Sequence, residues 1–416
     1  MSSPEPHHAL SPGRERAALL ALGAVQFTHI LDFMIMMPLG AQLMTVFAIT
    51  PTQFSHLVAA YGIAAAVAGF AGGFVLDRFD RKRAIIVLYS GFGLATLACA
   101  LAPTHTTLLL ARLTAGAFGG LTASMVTAMV GDVIPPARRG RAMGVVMAAF
   151  PVASVLGVPL GLVLAGKFGW HAAFFLLAGC SAAILALAAV ALPSIRTAVA
   201  NHEPVRQMRE ILSHGVHRRA FSVSMVLVMA GGVMIPFIAP SYIANVGLDE
   251  KFQLPFTYVV GGLATVVSTP IVGWLTDHMD RLKLLSLLSA AAIVVVFFIT
   301  RLGPSSLAVA SLLMALFMVT MSGRFSPAMT MVTNAVEARY RGGFMSVNAA
   351  LQQAAGAGAN LLAGEFVTRT PAGRLAGLPT LGYLAIGFFI LTALLAAELK
   401  AAAPHVALPA PKLPAP

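Results

Sequence analysis

Long apolar runs alternate with short charged or Pro- and Gly-bearing loops along this chain. Twelve runs can be drawn, at roughly 17–39, 52–76, 84–102, 106–130, 142–166, 171–192, 219–246, 254–276, 283–301, 304–332, 343–366 and 379–399. Each approaches the roughly 20 residues that a helix needs to cross a bilayer. Six runs precede a polar stretch and six follow it. The pattern predicts an all-α membrane protein of twelve transmembrane helices in two six-helix bundles, over 17–192 and 219–400. A tail over 1–16, a connector over 193–218 and an unstructured Pro- and Ala-rich tail over 401–416 complete the layout.

A repeat relates the halves. Gly73, Asp77, Asp80 and Arg81 recur as Gly273, Asp277, Asp280 and Arg281, and Arg83 recurs as Lys283. Each copy lies between two apolar runs, so one helical unit has been duplicated. A looser second pair matches Arg139, Gly140 and Met143 to Arg341, Gly342 and Met345, with Asn334 in place of Asp132.

Composition agrees with a bilayer environment. The chain is 58% hydrophobic and 10% charged, with a mean hydropathy of +0.86. Soluble domains carry about 25% charged residues. The net charge of +12 would suit nucleic acid, but its placement follows topology. With the N-terminus inside, 20 of the 27 Lys and Arg residues fall in inside loops and tails and 5 outside. That bias places both termini in the cytoplasm. Cys99 and Cys180 lie in different apolar runs and offer neither a disulfide framework nor metal-ligand spacing.

Few polar residues lie deep in the runs. Asp32 is the single deep acid, and an intramembrane carboxylate marks a functional site by default. Helical spacing places Thr28, His29, Asp32 and Met36 with Val25 on one face of the first run, opposite Phe27, Ile30, Met34 and Met37. The polar stripe is expected to face a cavity. Arg112 lies about seven residues from the outer end of its run, as Asp32 does, which puts both ~10 Å below the outer surface. The two can pair, with His29 one turn from Asp32 and able to share its proton. A snorkelling arginine is the competing arrangement for Arg112. Arg324, Asn348 and Gln352 are the polar candidates of the second half for contact with a substrate.

The stretch from Gly73 to Arg83 resembles the signature loop of the major facilitator superfamily, with its echo around Asp277 and Arg281. Asp80 stands where that pattern carries a glycine. The resemblance covers about residues 17 to 400 and implies alternating access by two bundles. It also implies a cytoplasmic gate of Gly73, Asp77, Arg78, Arg81, Asp132, Asp277 and Arg281. In that gate Asp77 meets the N-terminus of the helix near Gly342, and Arg81 pairs with Asp132. Leu109 to Gly116 is similar to the family's fourth-segment motif, whose arginine, Arg112 here, faces the centre. Gly157, Pro159 and Gly161 resemble the antiporter motif of the drug:proton branch, with Val158 intervening between glycine and proline. They lie in a small-residue stripe of Ala149, Ala153, Gly157, Gly161 and Ala165 that permits close helix contact.

The resemblance therefore implies a monomeric inner-membrane, proton-coupled exporter of small amphipathic compounds, using the proton gradient and no cofactor or metal. Its partners would be the bilayer, protons and a small molecule, and not nucleic acid. A symporter importing a sugar, organic acid or peptide is the alternative. A polytopic enzyme is a distant one, because the chain has no His-Glu-x-x-His and no facing carboxylates.

Overall fold

The computed structural model describes residues 11–76, 79–135, 138–195, 204–337 and 339–408. The chain is built of long helices: α1 (Pro12–Ile35), α2 (Pro51–Val75), α3 (Arg81–Ala100), α4 (His105–Val133), α5 (Ala142–Phe168), α6 (His171–Ala191), α7 (Gly215–Val246), α8 (Gln253–His278), α9 (Arg281–Ile299), α10 (Leu307–Asn334), α11 (Arg341–Phe366) and α12 (Leu378–Ala402). Among the described residues, eleven of these are long and apolar enough to cross a membrane. The exception is α11. It has 26 residues but carries Asn348, Gln352, Gln353 and Asn360 along its length.

Local chemistry sets the helix starts. Thr50 and Gln53 form a capping box ahead of α2, with Pro51 at its first position. Thr104 and Thr107 do the same for α4. The repeated block provides matched caps: Asp80 accepts from the Arg83 amide at the start of α3, and Asp280 accepts from the Lys283 amide at the start of α9. Each bonds one of the orphan donors of a helix N-terminus.

Two bundles form, α1–α6 and α7–α12, and they meet along α2 against α11 and α5 against α8. Thr52 Oγ1 donates to the Gly364 carbonyl at 2.9 Å, and Gln42 Nε2 donates to Glu250 at 3.0 Å. Phe54 and Phe237 meet edge to face, with centroids 6.1 Å apart. Nearer midspan, a Cβ on Gly62 would stand 3.1 Å from that of Ala357, and one on Gly262 would stand 2.8 Å from Val155 Cγ2. These contacts run from midspan to the end opposite the repeated block. At the block's own end, a Cβ on Gly342 would meet nothing within 4 Å.

One segment differs from expectation. In place of an unstructured tail from Ala401, α12 continues to Ala402 and Pro404–Ala407 forms a 3-10 turn with Val406 and Ala407 buried. The turn is strapped down: Arg281 Nη1 donates to the Val406 carbonyl at 3.1 Å, and Lys400 Nζ donates to Asp280 at 2.6 Å. The connector is ordered over Pro204–Ser213, a helix whose Ile211 is buried and whose Glu210 accepts from the Tyr340 hydroxyl at 2.9 Å.

Candidate functional site

A buried ion pair lies at the centre of the first bundle. Arg112 Nη1 of α4 donates to Asp32 Oδ2 of α1 at 2.6 Å, and both side chains are shut off from solvent. Equal depth in two different helices brings them together, so Arg112 does not snorkel. Thr96 of α3 donates to the other carboxylate oxygen at 3.4 Å. Arg112 also reaches the Asp32 carbonyl at 3.4 Å and stands 4.5 Å above the ring of Tyr61 from α2. Four helices thus converge on one charge pair. Removing two charges from water costs several kcal/mol each, and only close geometry offsets it.

His29 lies beside this pair, its ring 5.9 Å from that of Tyr61 and 6.1 Å from that of Phe92. Thr28 shares a 2.7 Å hydrogen bond with the Tyr89 hydroxyl. Met36 is fully buried in the apolar core with Leu31 and Ile35. Thr28, His29 and Asp32 on the polar stripe of α1 therefore meet their own bundle, and Met36 lies in a core to which both halves contribute. The reason is local: Arg112 and Thr96 bond the Asp32 carboxylate and Tyr89 bonds Thr28 there. Thr28 is held inside its own bundle by Tyr89. Tyr61 carries no signal in the sequence beyond a polar-tipped aromatic amid alanine, yet it touches the pair directly.

α5 packs on α1 through its small residues. A Cβ on Gly157 would stand 2.7 Å from Leu31 Cδ2, and one on Gly161 would stand 2.7 Å from Ile35 Cδ1. Pro159 has no amide to donate, and the helix passes it through a π-helical turn at Ala153–Gly157. The antiporter-like segment is thus an irregular helix laid against the one that carries Asp32.

At the repeated block, Arg81 Nε bonds Asp132 Oδ2 at 2.8 Å. The bond ties α3 to α4 within one bundle and does not bridge the halves. The Arg81 amide donates to the Ile195 carbonyl at 3.0 Å. Arg281 is buried against the tail, and Asp277 is exposed. Asp77 and Arg78, and the side-chain surroundings of Gly73, lie outside the described residues.

The polar candidates of the second half are occupied inside it. Asn348 Oδ1 accepts from Ser224 of α7, and Gln352 Nε2 points to Met329 Sδ of α10 at 3.3 Å. Arg324 Nε donates to Ser289 at 3.1 Å, and its guanidinium lies 4.2 Å from the Phe389 ring. It has no carboxylate partner among the described residues, although it is fully buried. A lone buried cation is costly, which sets Arg324 apart from the paired Arg112. No group of three or more His, Cys, Asp or Glu able to hold a metal occurs among the described residues.

Duplicated helical bundles around a buried intramembrane ion pair define a polytopic membrane protein of the two-bundle carrier fold. The chain belongs to the Major Facilitator Superfamily, whose model matches residues 22–360. It is 29% identical over 192 residues to an uncharacterised MFS-type transporter of Bacillus subtilis (strain 168), covering 46% of this chain and 49% of that protein. It is 25% identical over 207 residues to a chloramphenicol efflux pump of Mycobacterium tuberculosis (strain ATCC 25618 / H37Rv), covering 49% of each. A methylenomycin A resistance protein of Streptomyces coelicolor is 32% identical over 166 residues, covering 40% of this chain and 34% of that protein. The chain spans about half or less of the length of these relatives. Among solved structures, a bacterial homolog of the human lysosomal transporter Spinster, inward-facing and occupied, superposes with a TM-score of 0.77. That match has 16% identity and covers 97% of this chain and all of that one.

Proposed function

We propose that the protein is a proton-coupled antiporter that exports small amphipathic compounds across the cell's inner membrane by alternating access. The observation that carries this reading is the fully buried Asp32–Arg112 pair. A carboxylate held by an arginine at membrane depth can take a proton only by giving up its partner, so protonation and helix position are linked. Relatives that are efflux pumps for chloramphenicol and resistance proteins for methylenomycin A favour export of small molecules.

In this reading α11 crosses the membrane with the other eleven helices, giving twelve crossings with both termini in the cytoplasm. Its polar residues are tolerated because they bond inside the bundle. The halves then meet at the outer side, and the repeated block lies at the cytoplasmic side. There Gly73, Asp77, Arg78, Arg81, Asp132, Asp277 and Arg281 form the gate, with Asp77 drawn to the N-terminal dipole of α11. The protein works as a monomer on the proton gradient, without cofactor, and carries no catalytic residues. Asp32 gains a proton from outside and releases it inside as substrate leaves.

The experiment is transport in proteoliposomes under an imposed pH gradient, with a panel of neutral, cationic and anionic amphipaths. Proton-driven export of at least one is expected, with opposite proton movement. Co-movement of proton and solute, or no response to the gradient, would sink the antiport reading.

A further inference from the structure

Five polar atoms beside the ion pair are buried without a protein hydrogen-bond partner: both ring nitrogens of His29, the Tyr61 hydroxyl, and Nε and Nη2 of Arg112. They come from α1, α2 and α4 and lie within one cluster. A buried unsatisfied polar group costs about 1–3 kcal/mol, and internal water is the usual remedy. Gly119 of α4 makes the cluster compact. A Cβ there would press on the Tyr61 hydroxyl and stand 3.0 Å from His29 Nε2. The hydroxyl and the imidazole therefore face one notch, two helical turns along α4 from Arg112.

Tyr61 also has a second role to fill. When Asp32 is protonated, Arg112 loses its charge partner. What remains around it is the Tyr61 ring at 4.5 Å and the Asp32 carbonyl at 3.4 Å. A desolvated cation over an aromatic face gains about 2 kcal/mol.

We infer that Tyr61 is the positioning residue of the proton site. Its ring holds Arg112 while Asp32 carries the proton. Its hydroxyl, through water in the Gly119 notch, connects the site with His29. The one step is a proton transfer: the Asp32 O–H bond breaks, leaving its electron pair on the carboxylate that re-pairs with Arg112, and an N–H bond forms on His29, which passes the proton on; no other bond changes. The ionisable groups facing Asp32 are His29 on α1, Tyr61 on α2, Cys99 on α3 and Arg112 on α4. The inference rests on the antiport reading.

Carbodiimide labelling tests it without a known substrate, since the reagent modifies protonated carboxyls in apolar surroundings. Labelling of Asp32 in the intact protein is followed by mass spectrometry, with Asp32→Asn as the blank. Tyr61→Leu removes the ring and should slow labelling about tenfold at fixed pH. Tyr61→Phe keeps the ring and should label within about twofold of the unaltered protein, yet exchange protons more slowly in dye-loaded vesicles. Gly119→Ala should resemble Tyr61→Phe, because it crowds the hydroxyl and the imidazole. Equal labelling in Tyr61→Leu and the unaltered protein would overturn the inference, as would normal proton exchange in Tyr61→Phe. If Tyr61→Leu does not fold, the Tyr61→Phe and Gly119→Ala arms decide. Normal labelling of Asp32 with no proton-driven transport would sink the antiport reading alone.

Discussion

Asp32→Asn is the sharpest perturbation of this molecule. The substitution keeps shape and removes the charge. Arg112 is then a buried cation without a counterion, and removing one partner of a buried pair costs about 3–5 kcal/mol. One thing offsets part of the loss: the asparagine carbonyl still accepts one hydrogen bond, worth about 1 kcal/mol. The Tyr61 ring 4.5 Å away is in place in both forms and keeps the cation off bare hydrocarbon. The net destabilisation is then about 2–4 kcal/mol. Asp32→Asn with Arg112→Gln leaves no charge at all and should be more stable than Asp32→Asn alone, because the cost lies in the orphaned cation. Melting in detergent reads this cycle.

Transport reads the other consequence. One proton moved across 100 mV supplies about 2.3 kcal/mol, enough for a concentration ratio of roughly 50 for a neutral substrate. Asp32→Asn should collapse that ratio to about 1, while counterflow exchange without a gradient persists. The assay is substrate accumulation in proteoliposomes under a fixed potential, beside counterflow in the same vesicles. Full gradient-driven accumulation by Asp32→Asn would refute the reasoning. So would equal stability losses in the single and double variants, since the pair would then carry no linkage.

Four further outcomes are expected. Arg81→Ala removes the 2.8 Å bond to Asp132 and should cost about 1–3 kcal/mol, raising cytoplasmic accessibility of an engineered cysteine near Asp132; unchanged melting and accessibility would leave the block a topology marker. Partial burial pulls the Asp280 carboxyl up, but the hydrogen bonds from Lys400 and the Lys283 amide outweigh it and hold the group below its ordinary value. The latch should thus be whole above the unfolded value of about 3.9 and lost as pH falls through the lower folded one; proteolysis of the C-terminal tail against pH measures this, and a tail freed near pH 7 would contradict it. Gly157→Leu drives a side chain into Leu31 and should cost at least about 1–3 kcal/mol in melting, whereas Gly144→Ala, with nothing within 4 Å of its Cβ, should cost less than about 1. Arg324→Gln removes the unpaired interior cation and should raise export of ethidium relative to chloramphenicol; an unmoved ratio would exclude Arg324 from charge selection.

The helical two-bundle plan, the repeat and the equal depth of Asp32 and Arg112 are legible because each rests on spacing along one chain. Asp32 and Arg112 could be set at one depth by counting residues from their helix ends. What a helical face meets could not be read that way. The stripe through Thr28 and Met36 has the right periodicity, but periodicity does not distinguish a water-filled cavity from the interior of a bundle. The bond from Thr28 to Tyr89, 61 residues away, decides the matter. The spacing of Asn348 equally suits contact with a substrate, yet Ser224, 124 residues distant, bonds it inside the second bundle. Tyr61 was invisible for the same reason: its value lies in standing under Arg112. Over 401–408 the Pro and Ala composition predicts disorder, whereas Arg281 ties Val406 down and Lys400 holds the end of α12 beside it.

The duplicated block explains how symmetry and chemistry divide the work. In the first half, Ser194 donates to Asp80 and the Arg81 amide donates to Ile195, just beyond α6. In the second, Lys400 donates to Asp280 and Arg281 donates to Val406, at and just beyond the end of α12. Each block thus clasps the chain leaving its own last helix. A motion between the bundles breaks none of these bonds. The deep charges do not follow that symmetry: Asp32 and Arg112 pair in the first bundle, while Arg324 has no acid partner among the described residues of the second. Duplication preserved the clasp that keeps each bundle whole. Among the described residues such a deep ion pair lies in one half only; under the proposed antiport, protonation of its single carboxylate would act on one bundle and bias its position against the other.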